Sequence, residues 1–158
     1  MLVKKFLKVT AVALPLLMII GCGGGDDTTS QTPKLSSFWS ELDTKGCTSC
    51  HSTTSDNSDG PDMSTPSLFV KNLVGKSLEN YPNWDVSADC SAQFIKAGDA
   101  KNSMLLATLV QEDSDVMEQN NGCVSGYNYH ATVNATIDKN SALYNDLVAW
   151  IDAGAQDN

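Results

Sequence analysis

The chain contains no arginine: its ten basic residues are all lysine, against nineteen Asp and Glu. Nucleic-acid recognition needs clustered basic side chains to neutralise phosphates, so that class of partner is set aside. Histidine is equally scarce, with only His51 and His130. No second C-x-x-C and no H-x-H pattern occurs, so the two further close-spaced ligands of a structural zinc site are lacking. Strand-like alternation is nearly absent and there is no internal repeat, which points to helices. The longest apolar stretch, Val9 to Ile20, is too short to span a bilayer comfortably.

What the chain does have is Cys47-Thr48-Ser49-Cys50-His51. This C-x-x-C-H spacing is the attachment pattern of a c-type haem. Two thiols three positions apart can each add to one porphyrin vinyl group. The next residue, His51, then lies under the iron as its proximal ligand. A thioredoxin-like dithiol does not require the histidine and belongs in a βαβ unit, of which the sequence shows no sign. One covalent haem c is therefore the expected cofactor, and the absence of a second motif argues against a di-haem peroxidase.

The front of the chain has a basic start (Lys4, Lys5, Lys8) and then the apolar run, the layout of a secretory signal peptide. Its end, Ile19-Ile20-Gly21-Cys22, resembles a bacterial lipobox. That resemblance implies cleavage after residue 21 and a lipid on Cys22. With Gly23 rather than Asp following, enterobacterial sorting rules imply the outer membrane, facing the periplasm or the cell surface. The cysteines then sort: Cys22 for lipid, Cys47 and Cys50 for haem, and Cys90 with Cys123 as a disulfide in an oxidising compartment. Removing the leader removes three of the ten lysines and none of the acidic residues. Seven against nineteen leaves a net charge of −12. Such a surface suits solubility, and equally suits docking on a basic partner.

Three regions follow: a signal peptide over 1–21, a tether over 22–34 and a domain over 35–158. The tether, Gly23 to Lys34, has nothing apolar to bury. It reaches about 40 Å when stretched and about 20 Å as a coil. Within the domain, a helix is expected from Ser36 to Gly46, capped by Ser36 or Ser37, with Phe38, Trp39 and Leu42 facing inward. Thr65 caps a second from Pro66 to Leu78, with Pro66 at its first position. Asn102 caps a third, from Ser103 to about Gln111, which places Met104 on a buried face. A last helix runs from Asn140 or Ser141 to Ala153, stopped by Gly154, with Leu143, Leu147, Trp150 and Ile151 inward. Residues 51–65 read as a surface loop. Its run Ser55 to Gly60 faintly echoes a calcium loop but lacks the closing Glu. Met63 in that loop is a packing residue first and an iron ligand second. Gln93 to Ala97 reads as a short extended piece, and Glu112 to Lys139 as a long loop.

In this order the segments resemble a class I cytochrome c, more closely the exported monohaem domains of that family. The resemblance covers about residues 37–155. It rests on Cys47 to His51, Leu73-Val74-Gly75, Gly98-Asp99, Ser103 with Leu105, Met117 and Trp150-Ile151-Asp152-Ala153-Gly154-Ala155. It implies an all-α fold, with N- and C-terminal helices packed around a covalently bound haem and with loop insertions. It also implies Met117 as the sixth iron ligand, opposite His51. Glu118 stands where the family has a stiffening proline, and the 90–123 disulfide would then fasten the ligand loop, contributing about 3–4 kcal/mol by loop entropy. His130, in an apparent insertion over Asn120 to Thr136, is the rival ligand. The implied function is electron transfer, not enzyme catalysis, with no small-molecule substrate. Partners would be other redox proteins: cytochromes, a reductase or an oxidase. A haem-based small-ligand sensor, or a haem-bearing structural subunit of a redox complex, is the alternative.

Overall fold

The computed structural model describes residues 31–53, 60–78, 84–86, 90–110, 117–119 and 124–158, with backbone alone for 84–86 and 117–119. The leader, Cys22, the tether up to residue 30, residues 55–59 of the calcium-like run and Cys123 lie outside the described residues. The described chain is mostly helical. The elements are α1 (Leu35–Thr44), α2 (Cys47–Cys50), α3 (Pro66–Leu73), β1 (Trp84–Val86), α4 (Met104–Val110), β2 (Met117–Gln119), β3 (Val124–Gly126), α5 (Tyr129–Thr132) and α6 (Ala142–Asp152).

Helix α1 starts without a cap of its own. Lys34 is extended and offers no side-chain acceptor, and the expected caps Ser36 and Ser37 lie inside the first turn. The orphan donors go instead to the other end of the chain. The Leu35 N–H donates to Asn158 Oδ1 at 3.1 Å, and the Ser36 N–H donates to the Asn158 carbonyl at 3.3 Å. A helix start needs acceptors for its first N–H groups, and any chain segment that can be brought there will serve. Gly46, at φ +88, then turns the chain from α1 into α2 through a left-handed conformation that suits glycine.

Helix α3 begins as its sequence requires. Thr65 Oγ1 accepts from the Leu68 N–H at 3.2 Å and Pro66 occupies the first helical position. It ends at Leu73, earlier than the expected Leu78. From there the backbone pairs sideways: the Gly75 N–H donates to the Ile95 carbonyl at 2.9 Å and the Phe94 N–H donates to the Lys76 carbonyl at 3.0 Å. The expected extended piece at 93–97 is the partner in these bridges. Long-range pairing thus takes the last turn away from the helix.

Helix α6 carries the side of the core that meets α1. Ser141 Oγ caps it from the Tyr144 N–H at 3.2 Å. Its inner face is Leu143, Leu147, Trp150 and Ile151, all essentially buried. Trp150 meets Phe38 of α1 edge-on, with ring centres 6.1 Å apart, and Phe69 of α3 at 6.0 Å. Trp39 meets Phe69 edge-on at 5.7 Å. Edge-to-face pairs at these distances add to what area burial alone contributes. The Trp150 indole N–H donates to the Gln156 carbonyl at 2.8 Å, so its one polar atom is satisfied. Gly98 and Ala100 meet α6: the Gly98 N–H donates to the Ile151 carbonyl at 2.8 Å, and the Ala100 N–H donates to Asp152 Oδ1 at 2.8 Å.

The long loop expected over 112–139 holds structure of its own. Strands β1, β3 and β2 form a small antiparallel sheet in that order, with Trp84 and Met117 both in register with Gly126. Each strand is only three residues long, too short for alternation to show in sequence. Cys90 is buried and disulfide-bonded, in a second apolar cluster with Leu78, Ala92, Met104, Ala107 and Val124.

Trp150→Ala would remove the side chain that α1, α3 and α6 share. The expected cost is about 3–5 kcal/mol, read as a lower denaturant midpoint. A loss below about 1 kcal/mol would show that the three helices do not depend on this contact.

Candidate functional site

Between α1, α2, α4 and α5 lies a cavity of about 230 Å³. One wall is the short helix α2, whose Cys47 and Cys50 both line it, with His51 following as the residue that ends the helix. Leu42 and Phe69 continue this wall, Leu105 and Leu109 of α4 form another, and Tyr127 to His130 with Val133 and Ala135 close the far side. The lining is largely apolar, and nearly all of its polar groups come from two short segments: α2 with its flanks, and α5.

Helix α2 is anchored at both ends. The Cys50 N–H donates to the Gly46 carbonyl and the His51 N–H donates to the Cys47 carbonyl, each at 3.0 Å. The Thr48 hydroxyl donates to the Asp43 carboxylate, tying the turn back to α1. One helical turn therefore presents two thiols and an imidazole to one space. Both cysteines are free thiols, Cys50 exposed and Cys47 partly buried. Burial pushes the Cys47 thiol up to about 11, with the neighbouring Cys50 and Asp43 adding to the rise. A redox-active or metal-binding dithiol needs the opposite, a lowered thiol pKa in an electropositive setting. Among the described residues no group of three or more His, Cys, Asp or Glu is placed to hold a metal ion.

The His51 ring is held from behind by the segment 60–63. The Met63 N–H donates to the His51 carbonyl at 2.7 Å, and Asn72 Nδ2 of α3 donates to the Asp62 carbonyl at 2.7 Å. Gly60 lies flat against the ring: a Cβ there would overlap His51 Cε1 and Nδ1. The Pro61 backbone favours the protonated ring, while Nδ1 is buried with no hydrogen-bond partner among the described residues. Gly60 backs the Nδ1–Cε1 edge of the ring. Burial lowers the His51 pKa and outweighs the Pro61 contribution. The ring is neutral at neutral pH, the form that offers a lone pair.

Facing it is His130. The two ring centres are 6.0 Å apart and the planes differ by 27°. Its pKa is pushed down to about 4, chiefly by burial and secondarily by His51. Helix α5 is one turn long, and Asn128 fixes it. Asn128 Oδ1 accepts from the His130 N–H at 3.2 Å, while Nδ2 donates to the Thr108 carbonyl of α4 at 2.9 Å. Asn128 is 1% exposed, and its bond to Thr108 is made away from water.

Of the expected site residues, the cavity brings together Cys47, Cys50 and His51, and adds the two weaker candidates Met63 and His130. Met63 is 5% exposed and belongs to the main core cluster, in keeping with its packing role. Met117 lies on β2, but its side chain is outside the described residues. Cys22 and Cys123 are outside them as well. Sequence reading missed Gly60, Asn128 and the tyrosines on either side of Asn128. Gly60 looked like one more turn residue, and its closeness to His51 is made by folding. The run Tyr127-Asn128-Tyr129-His130 carried a faint signal, an aromatic cluster in an otherwise polar stretch. No protein-family model, no curated protein and no solved structure matches the chain.

Gly60→Ala would press a methyl group into the His51 imidazole. The expected cost is about 1–3 kcal/mol, measured by denaturant unfolding. A change within about 0.5 kcal/mol, as for an ordinary surface substitution, would show that the ring has room to move.

Proposed function

We propose that this chain is an exported, lipid-anchored monohaem c-type cytochrome that transfers single electrons. The observation that carries the reading is that Cys47, Cys50 and His51 all open onto one apolar cavity. The residues present fit the group. The two thiols are spaced for two vinyl groups, the imidazole that follows them lines the same cavity, and the walls suit a flat apolar macrocycle. The large apolar side chains found exposed among the described residues are Tyr127, Tyr129 and Val133, and all three border this cavity. Exposed apolar groups gathered at one mouth are what a hydrophobic ligand would cover.

In this reading Cys47 and Cys50 would hold the haem through two thioethers, each made by adding one S–H across one vinyl double bond with no net oxidation. His51, backed by Gly60, supplies the proximal nitrogen. Bound haem supplies a reversible one-electron couple. Leu42, Phe69, Leu105 and Leu109 exclude water from the site, and exchange with partners proceeds through the edge beside the exposed Cys50.

The packing of α1 against α6 beside the C-x-x-C-H turn supports the class I cytochrome c fold that the motifs imply. Lipidation at Cys22, an outer-membrane location and a tether over 22–34 belong to the same proposal. So does the partner of Cys90. Cys123 is assigned because its neighbour Val124 is fully buried in the cluster that holds Cys90. Partners are other redox proteins carrying a basic docking patch, since charge complementarity sets encounter rates for so acidic a surface. The domain binds no nucleic acid and no small-molecule substrate in this reading, and it is not an enzyme.

Produced in a host with haem-attachment machinery, the mature protein should gain the mass of one haem and show a Soret band that survives denaturation. Replacing both Cys47 and Cys50 by Ala should abolish the covalent attachment. A wild-type product with no added mass and no Soret band would overturn the proposal.

A further inference from the structure

We infer that the iron of the proposed haem is held between two imidazoles, with His130 and not Met117 opposite His51. The inference rests on the haem reading above and deepens it. A metal–imidazole bond is about 2 Å long, and each ring nitrogen lies about 1 Å from its ring centre, so two imidazoles on opposite sides of one metal have centres about 6 Å apart. The centres of His51 and His130 are 6.0 Å apart, with the rings within 27° of parallel. Both residues line the one cavity, and they are the only two histidines of the chain.

His130 is not placed there by chance contact of a solvated loop. Asn128 is a buried amide whose two ends are both used. One accepts from the His130 backbone and the other reaches the Thr108 carbonyl on α4. Leu105 and Leu109 on the same helix α4 line the cavity, so Asn128 ties the ligand's backbone to the cavity wall. The Ala135 N–H donates to the His130 carbonyl at 2.9 Å, and the Tyr127 hydroxyl pairs with the Thr132 hydroxyl at 2.6 Å. Asn128 is a positioning residue in this arrangement: it fixes where the helix turn begins, and thereby where the imidazole points. Tyr127, Tyr129 and Val133, from the same segment, border the mouth. The segment that departs from the class I pattern as an insertion thus carries both the second ligand and the cover.

One consequence distinguishes this site from one closed by methionine. A thioether ligand raises the potential, so replacing it by imidazole lowers it. The chain is then matched to low-potential electron donors and acceptors.

The test uses the mature holoprotein. The ferric wild type should lack the far-red Met–iron absorption and should show the magnetic-resonance signature of a low-spin bis-imidazole haem. Met117→Leu should leave that spectrum and the potential unchanged. His130→Met should introduce the far-red absorption and raise the potential. His130→Ala should give a high-spin ferric form, and a ferrous form that binds carbon monoxide stoichiometrically. Asn128→Leu should keep the haem but yield a mixture of spin states, which a purely structural role would not produce at matched haem content. Far-red Met–iron absorption in the wild type, whether lost in Met117→Leu or in Met63→Leu, would overturn the inference while leaving the haem reading intact. So would a His130→Ala holoprotein with an unchanged low-spin spectrum. A wild type without a Soret band would overturn the haem reading and this one with it. Should His130→Ala fail to mature, the wild-type and Met117→Leu spectra decide.

Discussion

The placement of the His51 ring governs the rest of the structure. It must enter an apolar cavity, stay neutral there, and come from the same helical turn that offers two thiols to that cavity. Each requirement recruits a different part of the chain. Gly46 lets the turn break away from α1, Gly60 leaves space behind the ring, and the Met63 N–H ties the returning loop to the His51 carbonyl. A buried ring nitrogen without a partner is costly in an ordinary core. Gly60 fixes the ring on that side, so the cost is carried where the ring cannot turn away from it.

The helical core has the task of making that placement rigid. Trp150 joins α1, α3 and α6 through Phe38 and Phe69, and Phe69 also lines the cavity. Packing at native density transmits small displacements, so the aromatic cluster and the site are mechanically one. The closure of α1 by Asn158 adds to this, because it fixes the helix leading to the thiols from the far end of the chain. The second apolar cluster, with the disulfide-bonded Cys90, stabilises the small sheet from which the 127–135 segment departs.

If the proposed haem sits between two imidazoles, the 120–136 insertion changes meaning. It is no longer an ornament on a methionine-closed site but the element that closes the site. The aromatic side chains that look misplaced on the surface are then the rim of the cofactor cleft. In that reading the strongly acidic surface would favour redox partners that carry a basic docking patch.

The helices, and the gathering of Cys47, Cys50 and His51 at one place, were legible in the sequence. The C-x-x-C-H spacing is local chemistry, complete within five residues. Pro66 after Thr65, and Leu143, Leu147, Trp150 and Ile151 at helical intervals, are likewise local patterns whose physical cause travels with them. What the sequence could not determine depends on segments meeting. Helix α3 lost its last turn to pairing with residues 93–95, and α1 took its cap from Asn158, more than a hundred positions away. Three-residue strands are below the length at which alternation is visible. Above all, a lone histidine in a polar loop looks the same whether it faces water or another imidazole. Only the fold, through Asn128 and its bond to α4, brings His130 to 6.0 Å from His51, because that distance is set by packing between elements and not by any spacing along the chain.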